Sequence, residues 1–341
     1  MANLTRILSI DGGGIRGIIP GQVLISLENK LKKAKNNDDA HIADYFDLIA
    51  GTSTGGILTC LYLCPGPNPG RPKFTADKAV ELYVDRGASI FKASVFQKIK
   101  SLCGLSNEIY DAKGLEAAFV HYFGDTMLSQ LLKPCLVTAY DFCGRKTDFF
   151  TQHDAKNGKM YDYYVRDIAR ATSAAPTYFE ISKILSFTGV PCYCIDGGIF
   201  ANNPALCAYA EIRHNFNVMF NNTSGKNPIA KEMAILSIGT GYAREKPFDY
   251  SKVRNWGAIA WIRPLIGAMM DGVSETVDYQ LSQMFDAVGC PGQYLRINSE
   301  LQFASAKLDD VSKENITALQ QDGTRIAQDF DNKLDTFVKF L

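Results

Sequence analysis

The run Phe46-Asp47-Leu48-Ile49-Ala50-Gly51-Thr52-Ser53-Thr54-Gly55-Gly56 restricts this chain more than any other stretch. An apolar segment of strand length stops at a serine set between glycines and resumes at once as Ile57-Leu58-Thr59-Cys60-Leu61-Tyr62-Leu63. The pattern predicts strand, sharp turn and helix, with Gly51, Ser53 and Gly55 spelling G-x-S-x-G. Flanking glycines let the backbone turn tightly enough to lift the hydroxyl clear of a sheet, beside a helix N-terminus, where it can serve as a nucleophile. A plain strand-to-helix connection with an N-capping serine fits the same residues. The motif therefore needs chemical partners from elsewhere.

Two further loops follow predicted strands. Arg6-Ile7-Leu8-Ser9-Ile10 is a β-favouring run that ends at Asp11-Gly12-Gly13-Gly14-Ile15-Arg16-Gly17. A helix follows, opened by Pro20 and marked by Val23, Leu24, Leu27 and Leu31 at helical spacing. Gly12, Gly14 and Gly17 also spell the G-x-G-x-x-G of a dinucleotide-binding turn. Asp11 directly before the glycines and the lack of a strand-end acid about 20 residues on argue against a nucleotide. Consecutive small residues instead offer several backbone N–H groups to one anionic oxygen, as an acyl-transfer transition state requires. Downstream, Tyr193-Cys194-Ile195 reads as a strand stopped by Asp196-Gly197-Gly198. In an α/β sheet such strand ends converge, which would bring together a nucleophile (Ser53), a donor-rich loop and a carboxylate able to take the serine proton (Asp196).

The remaining pattern is α/β. Helices are predicted over Lys78 to Phe91, Asp111 to Phe123 and Val165 to Thr172, and another beginning Ala205-Leu206 after Asn202-Asn203-Pro204. Strands are predicted at Leu136 to Tyr140 and Ala234 to Ile238, with Asp148-Phe149-Phe150 as a short edge strand. Ser173-Ala174-Ala175-Pro176 is small enough for close packing near a site, and the chain after Gly241 reads as mostly helical. The expected fold is a central, largely parallel sheet with helices on both faces and the active site at strand C-termini. With no repeat and no low-complexity linker, residues 1–341 are expected to form one domain, motif-bearing over about 6–241 and mostly helical over 242–341.

Asp11 to Gly17, Gly51 to Gly55 and Asp196 to Gly198, in that order, resemble the oxyanion, nucleophile and general-base motifs of the patatin-like phospholipase family. The resemblance spans roughly residues 6 to 241 and implies a three-layer patatin-like fold and a lipid acyl hydrolase with a Ser-Asp dyad, needing neither histidine nor calcium. Ser53 would be the nucleophile and Asp196 the general base. Gly12, Gly13, Gly14 and Arg16 would form the oxyanion hole, with Asp11, Gly17, Gly51, Gly55, Gly197 and Gly198 as motif positions. The implied substrates are phospholipids or lysophospholipids at a membrane surface. General esterase activity on soluble esters and a non-catalytic binding protein are the rival readings.

Composition narrows the partners. Lys plus Arg and Asp plus Glu both number 36, so nothing points to a nucleic-acid polymer. Nine cysteines with no C-x-x-C pair suit buried thiols in a reducing compartment, and the N-terminus lacks a secretory pattern, so a cytoplasmic location is expected. Of four histidines, only His214 follows Asp196, and its setting reads as a polar helix end. Asp38-Asp39 and Asp309-Asp310 lack ligand spacing, so no metal and no cofactor is expected. Trp256 to Met270, broken by Arg263 and Pro264, is read as a core helix, with a cap, a homo-oligomer surface or a lipid-docking element as alternatives.

A cytoplasmic phospholipase would need restraint. Bacterial cytoplasmic relatives in the family include anti-phage effectors switched on by a cyclic oligonucleotide, so such an activator is expected here. Its receptor surface would be Arg244, Lys246, Lys252, Arg254 and Arg263 near Trp256 and Trp261, which supply cations and stacking faces.

Overall fold

Alternation along the first strand sets the architecture. The structure, a computed structural model, describes residues 4–90, 111–223, 225–243 and 250–341. In β1 (Thr5–Ile10), Leu8 and Ile10 enter one hydrophobic core while Ile7 enters a second. A strand that buries both faces must be covered by helices on both. Helix α1 (Ile18–Lys35) follows the glycine loop, buries Val23, Leu24, Leu27 and Leu31, and stops at Asn36 in the left-handed conformation. Next come β2 (Leu48–Thr52), α2 (Thr54–Leu63), α3 (Ala76–Ile90) and α4 (Lys113–Phe123), with α2 buried along its whole length.

The second half is less regular. Strand β3 (Cys135–Asp141) pairs from Leu136 to Asp141 with the whole of β4 (Lys146–Thr151), the edge strand expected at Asp148 to Phe150. Then follow α5 (Val165–Thr172), β5 (Ser182–Leu185), β6 (Pro191–Asp196), α6 (Ala205–Phe220) and β7 (Met233–Ile238). The chain ends with α7 (Ala258–Ala287), β8 (Tyr294–Ile297), α8 (Lys313–Asp329) and α9 (Asp331–Phe337). The eight strands run in the order β5-β6-β3-β2-β1-β7-β8, with β4 beside β3. Neighbours from β3 through β8 are parallel, whereas β4, β5 and β6 make antiparallel pairings. Helices α1 to α5, α8 and α9 cover one face, and α6 and α7 cover the other. This is a three-layer α/β fold with a central sheet.

The mostly helical C-terminal part also carries a strand: Tyr294-Leu295-Arg296-Ile297 lies parallel beside β7, too short for its alternation to stand out in sequence. One expectation needs correction. The segment Trp256 to Met270 is not a core helix. Trp261, Ile262, Leu265 and Met269 are 41–50% exposed. Ile326, Phe330, Leu334 and Val338, spaced four residues apart near the C-terminus, pack into the core instead. Among the described residues no helix is long and apolar enough to cross a membrane.

Candidate active site

The serine and the acid meet through an unusual strand arrangement. Parallel β2 pairs with the first half of β3, its last register being Thr52 with Thr138. Antiparallel β6 pairs with the second half, its last register being Asp196 with Ala139. Thr138 and Ala139 are consecutive, so β2 and β6 run head-on along β3 and their C-termini abut. Convergence of parallel strand ends, assumed from sequence, therefore holds for the loops after β1 and β2. Asp196 arrives from the opposite direction.

At the end of β2 the backbone of Ser53 adopts φ 54°, ψ −120°. A non-glycine residue there costs roughly 1–3 kcal/mol and persists only when the surroundings enforce it. Several contacts do so. The Ser53 amide donates to Thr172 Oγ1 at 2.8 Å, and the Thr52 hydroxyl lies 2.8 Å from that of Thr138 and 2.5 Å from the Ala201 carbonyl. Gly55 has no alternative, since a β-carbon there would stand 2.1 Å from the Ile10 carbonyl oxygen.

Asp196 is 4% exposed and Ser53 7%. The Ser53 hydroxyl lies beside the Asp196 carboxylate and favours its ionised form, as does the Gly198 amide, which donates to it at 2.7 Å. Burial outweighs both and raises the Asp196 pKa to about 6. Gly197 and Gly198 begin the short turn that leads into Gly198–Ala201.

The glycine loop lies against the serine. A β-carbon on Gly12 would stand 3.2 Å from Ser53 Cβ and 2.4 Å from Asn202 Oδ1. The four donors assigned from sequence divide in two. The Gly12 amide donates to the Asn202 carbonyl at 3.1 Å and the Arg16 amide to Gly13 O at 3.2 Å, so both are occupied. Among the described residues the amides of Gly13 and Gly14 meet no acceptor. The Arg16 guanidinium reaches Gly13 O (3.4 Å) and Gly241 O (3.1 Å), which makes it a brace of the loop. Gly17 admits Thr54, whose hydroxyl oxygen would be 2.0 Å from a β-carbon there.

Asp11 does not face the serine. Its carboxylate takes both ends of the Arg296 guanidinium, at 2.8 and 2.5 Å, in a pair 3% and 10% exposed at the side chains. Ser274 donates to it at 3.3 Å and is itself bonded to Asn202. Ser9, Ser237 and Arg296 are register neighbours across β1, β7 and β8. Arg296 also bonds Ser237. The network thus ties the glycine loop to the last hundred residues. Arg296, Thr172, Asn202 and Ser274 carried no motif and were missed from sequence. Only the small-residue run after Thr172 hinted at the first of this neighbourhood.

Ser53 and Asp196 open onto a slot lined by Ile57, Leu82, Tyr83, Leu115, Phe119, Phe179, Ile266 and Met270, almost wholly apolar. None of the four histidines lines it. His214 is exposed on α6, and His153 pairs with Glu211 at 3.1 Å. Among the described residues no cluster of His, Cys, Asp and Glu could hold a metal ion. Of the basic surface expected after Gly241, Arg244, Lys246 and the side chains of Lys252 and Arg263 lie outside the described residues. Trp256 and Trp261 meet edge to face at 5.5 Å.

A strained serine, a buried carboxylate and an apolar slot at the strand ends of an α/β sheet define a lipid ester hydrolase. The family model for patatin-like phospholipase matches residues 8–209. The chain belongs to the patatin-like phospholipase family and is a lipid acyl hydrolase. It is 36% identical to patatin-like protein 2 of Arabidopsis thaliana over 95% of this chain and 83% of that protein. It is 33% identical to patatin group D-2 of Solanum tuberosum, over 96% and 84%. A further Solanum tuberosum relative, 32% identical over 96% and 87%, is the probable inactive patatin-3-Kuras 1. Among solved structures, VipD from Legionella pneumophila aligns over 98% of this chain and 67% of its own, with a TM-score of 0.39 and 11% identity.

Proposed function

We propose that this enzyme cleaves fatty-acyl esters of phospholipids or lysophospholipids with Ser53 as nucleophile and Asp196 as general base. The observation that carries this reading is that the strained Ser53 and the buried Asp196 carboxylate share the head of one apolar slot. Ser53 Oγ attacks the ester carbonyl and its proton passes to Asp196. The amides of Gly13 and Gly14 receive the oxyanion. The carbonyl re-forms, the alkoxide of the lysophospholipid or of the glycerophosphodiester leaves, and Asp196 returns the proton to it. Water, deprotonated by Asp196, then releases the fatty acid and restores the serine.

The slot favours long apolar acyl groups over soluble esters. Turnover of phosphatidylcholine and of a short-chain ester, compared side by side as kcat/KM, tests this; a preference for the short ester would favour the general esterase. The relationship to the probable inactive patatin-3-Kuras 1 of Solanum tuberosum keeps the non-catalytic rival concrete. No turnover of either substrate would favour it. The free cysteines among the described residues, five of them buried, support a reducing, cytoplasmic setting. Activation by a cyclic oligonucleotide, and with it a part in antiviral defence, is a separate proposal. It predicts that cyclic di- or trinucleotides raise fatty-acid release from liposomes, and full activity unchanged by all of them would remove it.

A further inference from the structure

The first turns of α7 carry two apolar surfaces. Ile266 and Met270 face inward and wall the slot of Ser53 and Asp196. Trp261, Ile262, Leu265 and Met269 face outward, 43, 43, 50 and 41% exposed. At about 100° per residue these four fall within about 100° of arc, a single stripe beside the slot wall. The neighbouring cavity, about 460 Å³, shares Ile266, Met270 and Leu308 with the slot and reaches the surface at Tyr242, 47% exposed.

We propose that this stripe is a docking face for a phospholipid bilayer, seated at the boundary of headgroups and acyl chains. The inference rests on the reading of the site as a phospholipid acyl hydrolase. A helix bare on one side and walling the substrate slot on the other places the slot next to whatever the stripe touches. The substrate of that reading is itself a component of the bilayer. A second copy of the chain on the same stripe would instead cover the approach to the slot. The residue types agree: Trp with Ile, Leu and Met on one side of a helix that cannot span suits an element lying in the interface, with Trp256 and Trp261 at headgroup depth. The stripe and the slot also share one helix: Ile266 and Met270 of α7 form part of the slot wall, so what touches the outer face of α7 sits next to the site.

The test separates docking from chemistry. Ser53→Ala protein is floated with vesicles of phosphatidylcholine and phosphatidylglycerol, with and without the combined changes Trp261→Gln, Leu265→Gln and Met269→Gln. Partitioning is expected to fall roughly tenfold or more in the combined variant. In the Ser53-containing background, the same three changes should leave turnover of a monomeric short-chain ester unchanged while vesicle hydrolysis falls in step with binding. Absence of flotation in Ser53→Ala protein, flotation indifferent to the three changes, or a dimer that they dissociate would each overturn the proposal. Should the combined variant fail to fold, brominated lipid must still quench Trp261 in Ser53→Ala/Trp256→Phe protein, and lack of quenching is equally fatal. Flotation that persists without fatty-acid release from wild type refutes the hydrolase reading alone.

Discussion

Asp196 pays for its position in stability, and the sign can be worked out. Its folded pKa of about 6 stands above the ordinary 3.8 because burial disfavours the carboxylate. Protonated in both states below about pH 4, it imposes no penalty there, and the penalty grows as pH rises through about 6. By linkage the ionised group destabilises the fold by on the order of 3 kcal/mol at neutral pH. Asp196→Asn is therefore expected to raise Tm at about pH 8 and to flatten the fall of Tm between about pH 4 and 6. For the proposed dyad, activity runs the other way, because only the ionised Asp196 carboxylate can take the serine proton. kcat/KM should decline below pH 6 as one proton binds, and an acid limb near pH 4 would contradict the burial argument. Thr172 offers a second residue-scale test: Thr172→Val removes the acceptor of the buried Ser53 amide. It should cost roughly 1–3 kcal/mol in denaturant unfolding and lower kcat more than it raises KM.

At the scale of elements, the site depends on two strands of opposite direction and on one that sequence did not reveal. Strand β2 and its elbow were legible because apolar run, glycines and helix pattern agree, and β1 and α1 were legible for the same reason. The end of β6 was legible as a strand stopped by Asp196, but its direction was not, since nothing local to Pro191–Asp196 records which side of β3 it joins. Strand β8 has four residues, and its key member is an arginine. Arg296 is meaningful only through register with Ser237 and through Asp11, 285 residues away. Replacing it leaves the Asp11 carboxylate buried and unpaired, so Arg296→Met should destabilise by about 3–5 kcal/mol. Asp11→Asn combined with Arg296→Met should recover part of that loss in the same unfolding experiment. Additive losses would show that the pair does not act as a unit.

The whole molecule joins a motif-bearing part to a tail that completes it. Residues beyond Gly241 supply the sheet edge β8, the carboxylate clamp Arg296, the Leu308 carbonyl that accepts the Ile15 amide, and the slot wall of α7. Asp322, fully buried, accepts the amides of Gln302, Phe303 and Ala304 and so fixes the segment leading to Leu308. None of this shows as a motif, because its function is to hold others' chemistry in place. A chain ending at Gly241 is accordingly expected not to fold cooperatively, which circular dichroism and thermal melts would register. The account as a whole stands on Ser53 and Asp196 acting as one unit. The most direct measurement is fatty-acid release from phosphatidylcholine by wild type, Ser53→Ala, Asp196→Asn and the double variant at about pH 8. Each single change should lower kcat by a factor on the order of 10³ or more, and the double should be no worse than either. Near-normal kcat in folded Asp196→Asn would contradict the dyad.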